Sequence, residues 1–236
     1  MQRFVESVRK AFLVGYKKSY KKSYSQCGED LLLDFYFSNR FPNQKVGKYI
    51  DIGAHHPTIM NNTYLFYKKG WRGINIEPVP EQQLKFKKQR PADINIMCGI
   101  GTASENKDFY IMDPPTLSTY DRKTAENYIE LGHKIIRVDN VCFWSVSDLI
   151  SKCGIKDNID LLTIDIEGQE LDIIQSFISK GIKPKTMICE TLAYSSQFSS
   201  AQKEQDKIDA IIREGYFLYA DTFINSIFIS NECWNS

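Results

Sequence analysis

Residues 48–57, KYIDIGAHHP, decide the fold. A short apolar run ends in Asp51-Ile52-Gly53, and two histidines and a proline follow before helical periodicity resumes. This pattern is typical of a buried β-strand that runs into a tight turn with polar side chains at its carboxyl end. In an open α/β sheet, ligands bind in the crevice outside the strand ends. We therefore expect most of the chemistry to lie within reach of this turn.

Strands and helices alternate after the turn. Each predicted strand is short and apolar, and each predicted helix follows after a short link, so the pattern indicates a parallel sheet with right-handed crossovers. The run at 159–168 is almost continuously apolar, as a strand buried on both faces should be. The predicted strands are 48–52, 72–78, 93–100, 159–168 and 186–190, and the predicted helices are 58–69, 80–90, 145–152, 170–179 and 201–213.

The chain closes with two adjacent predicted strands, 216–220 and 226–229. The link between them is too short for a crossover helix, so this pair must be antiparallel. Five β-α units followed by an antiparallel hairpin are typical of class I methyltransferases. We predict an α/β, Rossmann-like fold with a seven-stranded, mostly parallel sheet, an antiparallel terminal hairpin strand and helices on both faces.

The chain divides into a basic lead and one domain. Residues 1–24 are rich in Lys and Arg and are predicted to form a basic helical segment. That segment is interpreted either as an amphipathic helix packed on the domain or as a contact for membrane or phosphate. Residues 25–236 are predicted to form a single domain. Two extra strands and a helix at about residues 104–140 are interpreted as a substrate-side insertion.

Composition limits the kinds of binding partner that we expect. The formal net charge of +1 does not favour nucleic-acid binding, and no apolar run is long enough to span a bilayer. The six cysteines form no CxxC pair and indicate reduced thiols rather than a disulfide framework. With no signal-peptide pattern at the start, we expect a cytoplasmic protein. A homo-oligomer is left open.

The turn after the first strand separates two kinds of nucleotide cofactor. A dinucleotide-binding domain uses a G-x-G-x-x-G loop so that its backbone can approach a pyrophosphate. Here the turn has one glycine, Gly53, followed by Ala54, His55, His56 and Pro57. S-adenosylmethionine has no phosphate and needs no such loop. The glycine deficit therefore favours S-adenosylmethionine over NAD.

Five short motifs together carry a resemblance to a known family. Each is weak alone, but their order and spacing make a strong signal over about residues 25–230. They resemble the FkbM family of S-adenosylmethionine-dependent methyltransferases, whose members are O-methyltransferases acting on sugars, glycans or polyketide-type hydroxyls. The motifs are Ser25-Gln26-Cys27-Gly28-Glu29-Asp30, residues 51–57, Asn62-Thr63-Tyr64, Gly70-Trp71-Arg72-Gly73 and Asp165-Ile166-Glu167-Gly168.

Chemistry and this resemblance together assign the cofactor residues. Gly53 would let the chain pass close to the methionine part of the cofactor, and Asp51 would reach its amino group. Glu77, at the end of the second strand, would accept hydrogen bonds from the ribose hydroxyls. Gln26 is expected at the mouth of the site. The adenine is expected beside Cys98, Gly99 and Ile100.

The catalytic step must remove the proton of a hydroxyl whose pKa lies far above neutrality. Asp165 and Glu190 end neighbouring predicted strands, so their carboxylates should meet at one edge of the sheet, near His55 and His56. One hypothesis is a divalent metal held by Asp165, Glu190 and His56; imidazole would favour Fe or Mn over Mg. The alternative is metal-free base catalysis by Asp165 or a histidine.

The expected acceptor is a small-molecule sugar, in particular a nucleotide-linked one. Lys68, Lys69 and Arg72 are candidate contacts for a diphosphate. The stretch from Asp113 to Thr119 is interpreted as a substrate loop. Two other functions stay open: an N-methyltransferase, and a non-catalytic cofactor- or RNA-binding module that uses the basic lead.

Overall fold

The computed structural model describes residues 21–156, 159–166, 168–192 and 202–235. Most of the predicted basic segment, residues 1–20, lies outside the described residues, and so does Glu167 of the fifth motif. Residues 21–24 are not helical. Within the described ranges, no helix is long and apolar enough to cross a membrane.

Ten strands and eight α-helices make up the described parts of the chain. The strands are β1 (Lys48–Ile52), β2 (Arg72–Ile76), β3 (Ile94–Ile96), β4 (Gly99–Gly101), β5 (Glu105–Asp113), β6 (Lys134–Ser145), β7 (Leu161–Ile164), β8 (Thr186–Glu190), β9 (Tyr216–Asp221) and β10 (Asn225–Ser230). The helices are α1 (Glu29–Arg40), α2 (Tyr64–Lys68), α3 (Pro80–Gln89), α4 (Arg122–Glu130), α5 (Val146–Cys153), α6 (Glu170–Ser179), α7 (Gln205–Arg213) and α8 (Asn231–Asn235).

The main sheet has seven strands in the order β3-β2-β1-β7-β8-β10-β9. Strands β1, β2, β3, β7 and β8 run parallel, and β10 is antiparallel to both β8 and β9. This confirms the predicted seven-stranded, mostly parallel sheet with an antiparallel terminal hairpin. The order reverses between β1 and β7, which is where the carboxyl ends of parallel strands open a crevice.

The sheet is covered on both faces, as its apolar strands require. In β1, Ile50 and Ile52 pack into one core layer, whereas Tyr49 packs into the other. Side chains alternate between the faces of a strand, so a short run such as this one serves both layers. Burial of each large apolar side chain contributes about 1.5–3 kcal/mol, which fixes the register of the strand and hence the position of Asp51.

The single strand predicted at 93–100 is wrong. The chain leaves the main sheet after β3, and β4 joins a second, three-stranded sheet of order β4-β6-β5. Strand β6 pairs in parallel with β4 and antiparallel with β5. The two extra strands expected in the middle of the chain are therefore present, but their sheet spans residues 99–145.

The helix predicted at 58–69 is also wrong in its first half, because α2 covers only Tyr64–Lys68. Residues before it form a loop in which Met60 has a φ of 50°. Asn61 in that loop donates hydrogen bonds to Asp51 and to the carbonyl of Ala54. These side-chain bonds hold the chain in a non-helical path despite the helical periodicity of the sequence.

Candidate functional site

A cavity of about 330 Å³ opens at the carboxyl ends of β1, β2, β7 and β8. It brings together ten of the eleven residues that the sequence singles out for cofactor, base or metal. Its lining also includes residues of the second sheet and of the predicted substrate loop, among them Ser118 and Thr119. His56 is not part of the lining. The ten predicted residues in the lining are Gln26, Asp51, Gly53, His55, Glu77, Cys98, Gly99, Ile100, Asp165 and Glu190.

Gly53 is required by the close approach of two turns. Its φ is +75°, and a Cβ at this position would lie 1.9 Å from the carbonyl oxygen of Asp165. Its backbone N–H donates to the carbonyl of Ile76 at 3.0 Å. Any side chain here would push the turn after β1 away from the turn after β7. The glycine therefore sets the width of the cavity floor.

Asp51 lies at the end of a buried polar network that sequence reasoning missed. Its Oδ2 accepts hydrogen bonds from Thr63 Oγ1 at 2.7 Å and from Asn61 Nδ2 at 3.1 Å. Burial raises the pKa of the Asp51 carboxyl, while the charge of Arg90 and these two hydrogen bonds act in the opposite direction. The side chain is held in one position facing the cavity.

Arg90 anchors this network from behind. The guanidinium, which is fully buried, donates to Thr63 Oγ1 from both Nη1 and Nη2 at 3.0 Å, and to Asn61 Oδ1 at 3.0 Å. Its Nε forms an ion pair with Asp93 at 2.9 Å. Arg90 follows a helix whose sequence pattern is that of a surface helix. The sequence gives no signal that Arg90 anchors a buried network, because its partners come from distant parts of the chain.

Glu77 occupies the position expected of a ribose ligand. Its two carboxyl oxygens accept hydrogen bonds from the backbone N–H groups of His55 and Val79, each at 2.8 Å. Burial raises the pKa of Glu77 to about 8, although the two hydrogen bonds lower it. The carboxyl is therefore fixed in orientation at the cavity wall, where a diol would meet both oxygens.

Several aromatic side chains line the cavity near β4. A Cβ on Gly99 would lie 2.4 Å from the ring of Phe143, so glycine allows this ring to pack directly on the β4 backbone. Phe109 and Tyr120 also line the cavity, and the rings of Tyr120 and Phe143 meet edge to face at 5.5 Å. A planar base fits against such rings beside Cys98 and Ile100. Phe143 comes from a strand that the sequence did not connect with the site.

One buried polar atom in the cavity wall lacks a partner among the described residues. Asn62 donates from Nδ2 to Thr163 Oγ1 at 3.1 Å, but its Oδ1 accepts no hydrogen bond there. An unpaired buried acceptor is costly unless a ligand supplies the donor. Asp51 belongs to the same lining, and these acceptors fit the ammonium group of an amino-acid ligand, which donates hydrogen bonds. The residues present therefore fit S-adenosylmethionine.

Asp165 and Glu190 both line the cavity edge, where the neighbouring parallel strands β7 and β8 end. Crowding by protein atoms raises the pKa of Asp165, and the hydrogen bond from Glu190 lowers it. Asp165 retains accessible surface, which faces the cavity. The pair is thus placed to exchange a proton with a bound molecule.

A buried ion pair braces these two carboxyl groups. The Glu170 carboxylate accepts hydrogen bonds from the backbone N–H of Gly168 at 3.0 and 3.1 Å, in the turn after β7. Lys207 bonds to Glu170 at 2.9 Å and to the carbonyl oxygen of Glu190 at 3.3 Å. One lysine therefore ties together the ends of both strands.

The two histidines occupy different positions. His55 lines the cavity with a φ of 51°, and burial lowers its pKa, so the imidazole is neutral near neutral pH. The Nδ1 of His56 instead accepts hydrogen bonds from the backbone N–H groups of Thr58 and Ile59, both at 3.2 Å. His56 stabilises the loop that follows β1.

The hypothesis of a metal site requires side chains that are arranged to ligate a divalent ion together. Among the residues that the structure describes, no group of three His, Cys, Asp or Glu side chains is arranged to hold a metal ion. Asp165 and Glu190 are adjacent, but His56 is engaged by the loop backbone and does not complete a three-ligand set with them. The described residues therefore do not fit a divalent ion.

The entrance is built by the first motif. Gln26 lines the cavity, whereas Glu29 and Asp30 are fully buried and bonded within the protein. Glu29 accepts hydrogen bonds from Asn225 at 3.0 Å and Thr222 at 2.7 Å, which fixes the start of α1 against the terminal hairpin. The two acids therefore position the entrance loop and do not face the cavity.

Comparison with known proteins gives one family and several solved structures of low similarity. A sequence model of the Methyltransferase FkbM domain matches residues 51–219, more than half of the chain. No curated protein matches.

A TehB-like SAM-dependent methyltransferase from Corynebacterium glutamicum is 10% identical, with a TM-score of 0.44 over 98% of this chain and 100% of that one. A fibrillarin pre-rRNA processing protein from Methanococcus jannaschii is 12% identical, with a TM-score of 0.42 over 79% of this chain and 67% of that one. Fibrillarin from Aeropyrum pernix, solved with bound S-adenosyl-L-methionine, is 8% identical, with a TM-score of 0.36 over 78% and 65%.

Proposed function

Because the chain belongs to the FkbM methyltransferase family, we propose that it transfers the methyl group of S-adenosylmethionine to a hydroxyl of a sugar. The acceptor is a nucleotide-activated sugar or a glycan precursor. The observation that carries the proposal is the pair of neighbouring carboxyl groups, Asp165 and Glu190, in the lining of a cavity whose other polar groups suit the cofactor.

The proposed cofactor contacts follow the wall of the cavity. Asp51 and Asn62 Oδ1 accept hydrogen bonds from the amino group of the methionine part, and Glu77 accepts them from the ribose hydroxyls. The aromatic part of the lining near Phe143 receives the adenine. When bound, S-adenosylmethionine supplies an electrophilic methyl group.

Asp165 acts as the general base in this proposal. A sugar hydroxyl is a poor nucleophile until it loses its proton, and a carboxylate at hydrogen-bonding distance can accept that proton as the oxygen attacks. Glu190, at the end of the neighbouring strand, lets the pair share the proton. A positioned base of this kind contributes about 10²–10⁴-fold to a rate. The neutral imidazole of His55 is a second acceptor on the same wall.

The choice of a sugar rests on the family resemblance and on the chemistry of the base. An oxygen acceptor requires a base, whereas a neutral amine carries its own electron pair and does not. We place the reaction in the cytoplasm because nucleotide-linked sugars are made there. Lys68, Lys69 and Arg72 are exposed, and Lys68 donates a hydrogen bond to the hydroxyl of Tyr24, just before the entrance loop, where its positive charge suits an anionic acceptor.

A direct experiment tests this function. The purified chain is incubated with S-adenosylmethionine and a panel of nucleotide sugars, with and without a chelator, and the products are read by mass spectrometry. The proposal expects one added methyl group on a sugar in both arms, formed about 10²–10⁴-fold more slowly by Asp165→Asn. Methyl transfer to an amine, a protein or an RNA in place of any sugar would overturn it.

A further inference from the structure

A second groove lies directly beside the cofactor cavity. Its volume is about 630 Å³ and it is lined by Lys22, Ser23, Tyr24, Ser25, Thr58, Ile59, Met60, Tyr64 and Gln89. Met60 lines both the groove and the cavity, so the two are neighbours at this residue.

The walls of the groove are aromatic and apolar. The rings of Tyr24 and Tyr64 meet edge to face, with centroids 4.9 Å apart and an angle of 87° between planes. Ile59 and Met60 are 60% and 48% exposed. Met60 has a left-handed backbone at a φ of 50°, a conformation that non-glycine residues keep mainly at functional sites. Aromatic rings beside exposed apolar side chains suit the C–H face of a sugar ring.

Two lysines supply positive charge at the groove: Lys22 is part of its lining, and Lys68, which is not, contacts Tyr24 of the lining. The ammonium groups of Lys22 and Lys68 lie 5.1 and 5.0 Å from the centre of the Tyr24 ring, and Lys68 donates a hydrogen bond to the Tyr24 hydroxyl at 2.7 Å. Neither lysine forms an ion pair with a carboxylate among the described residues. Their neighbours Lys21 and Lys69 differ in this respect, since both face Asp34.

The carboxyl of Asp30 is bonded to the same segment of chain but is not part of the groove lining. Asp30 is fully buried and accepts hydrogen bonds from the hydroxyls of Ser23 and Ser25 and from the backbone N–H of Tyr24. No carboxylate belongs to the described lining. The two lysines therefore leave a net positive charge, which a phosphate complements without displacing a protein partner.

We propose that this groove binds the glycosyl phosphate part of the acceptor. Lys22 and Lys68 contact a phosphate or diphosphate, Tyr24 and Tyr64 support the sugar ring, and the reacting hydroxyl extends past Met60 toward Asp165. The inference rests on the proposed sugar methylation. It adds the place where the acceptor binds and the residues that contact its phosphate.

Binding to the full chain tests the groove without any need for turnover. Calorimetry in the presence of S-adenosylhomocysteine compares glucose 1-phosphate, UDP-glucose and uncharged methyl glucoside. The double variant Lys22→Met with Lys68→Met should weaken the phosphate-bearing probes by about tenfold or more, because each lysine supplies a charge-assisted contact. Its affinity for methyl glucoside and for S-adenosylhomocysteine should not change.

A matched control removes two exposed lysines elsewhere, Lys123→Met with Lys180→Met. Equal affinity for both phosphate probes in the two double variants would overturn the proposal, as would failure of both probes to bind the native chain. Weakening of UDP-glucose alone would assign the groove to a diphosphate, and weakening of both probes to a single phosphate. A chain that binds the probes but methylates no sugar would refute the proposed reaction and leave the groove in place.

Discussion

The buried network behind Asp51 allows a sharp prediction about Thr63. Its hydroxyl donates to Asp51 at 2.7 Å and accepts two hydrogen bonds from Arg90 at 3.0 Å, and the residue is fully buried. Thr63→Val keeps the shape but leaves both charged groups short of a partner. A hydrogen bond to a charged group contributes about 1.5–3 kcal/mol, and Thr63 makes such bonds to two charged groups, Asp51 and Arg90.

We therefore expect Thr63→Val to lower the free energy of unfolding by about 3–5 kcal/mol in urea titrations. Affinity for S-adenosylhomocysteine should also fall in calorimetry, because Asp51 loses the bond that orients it. Thr63→Ser is the matched control: it keeps the hydroxyl and deletes one methyl group, which costs about 1 kcal/mol. A Thr63→Val protein as stable as Thr63→Ser, with native cofactor affinity, would refute the role assigned to the network.

Three further predictions concern the cavity wall. Gly53→Ala should destabilise the fold far more than Gly132→Ala, because both have positive φ but only Gly53 would place a Cβ 1.9 Å from a carbonyl oxygen; urea unfolding of the two variants checks this. Asn62→Leu should weaken binding of S-adenosylmethionine about tenfold, as measured by calorimetry. Thr163→Val is the control: it removes the same Asn62–Thr163 bond but keeps Asn62 Oδ1, so cofactor affinity should not change. Folding raises the pKa of Glu77 from 4.5 to about 8, so the folded state holds an extra proton in that window and stability should fall as pH rises through it. In Glu77→Gln, the free energy of unfolding measured in urea should fall less across the same pH range. An identical pH dependence in the variant and the native chain would contradict the raised pKa of Glu77.

Much of the architecture was predictable because local patterns and the global fold agree. Apolar runs that end in Asp51, Glu77, Asp165 and Glu190 place four carboxyl groups at strand ends, and parallel strands bring their ends to one edge. The sequence alone therefore locates the cavity, and comparison with the FkbM domain confirms the family. The individual roles of these residues remain predictions.

What the sequence did not reveal depends on contacts between distant segments. The loop before α2 keeps helical periodicity, but its path is set by side-chain bonds to Asp51. Arg90 and Phe143 reach the site from elements whose own patterns show only a helix end and a β-strand. The break at residues 97–98 is invisible locally, since β3 and β4 both have the composition of a strand but pair in different sheets.

The central claim is that Asp165 accepts the proton of a sugar hydroxyl. The measurement that tests it most directly is the rate of methyl transfer from S-adenosylmethionine to the acceptor sugar by the native chain and by Asp165→Asn, with cofactor affinity measured in parallel. A loss of about 10²–10⁴-fold in rate at unchanged cofactor affinity is the predicted result. A variant that methylates the sugar at the native rate would contradict the account.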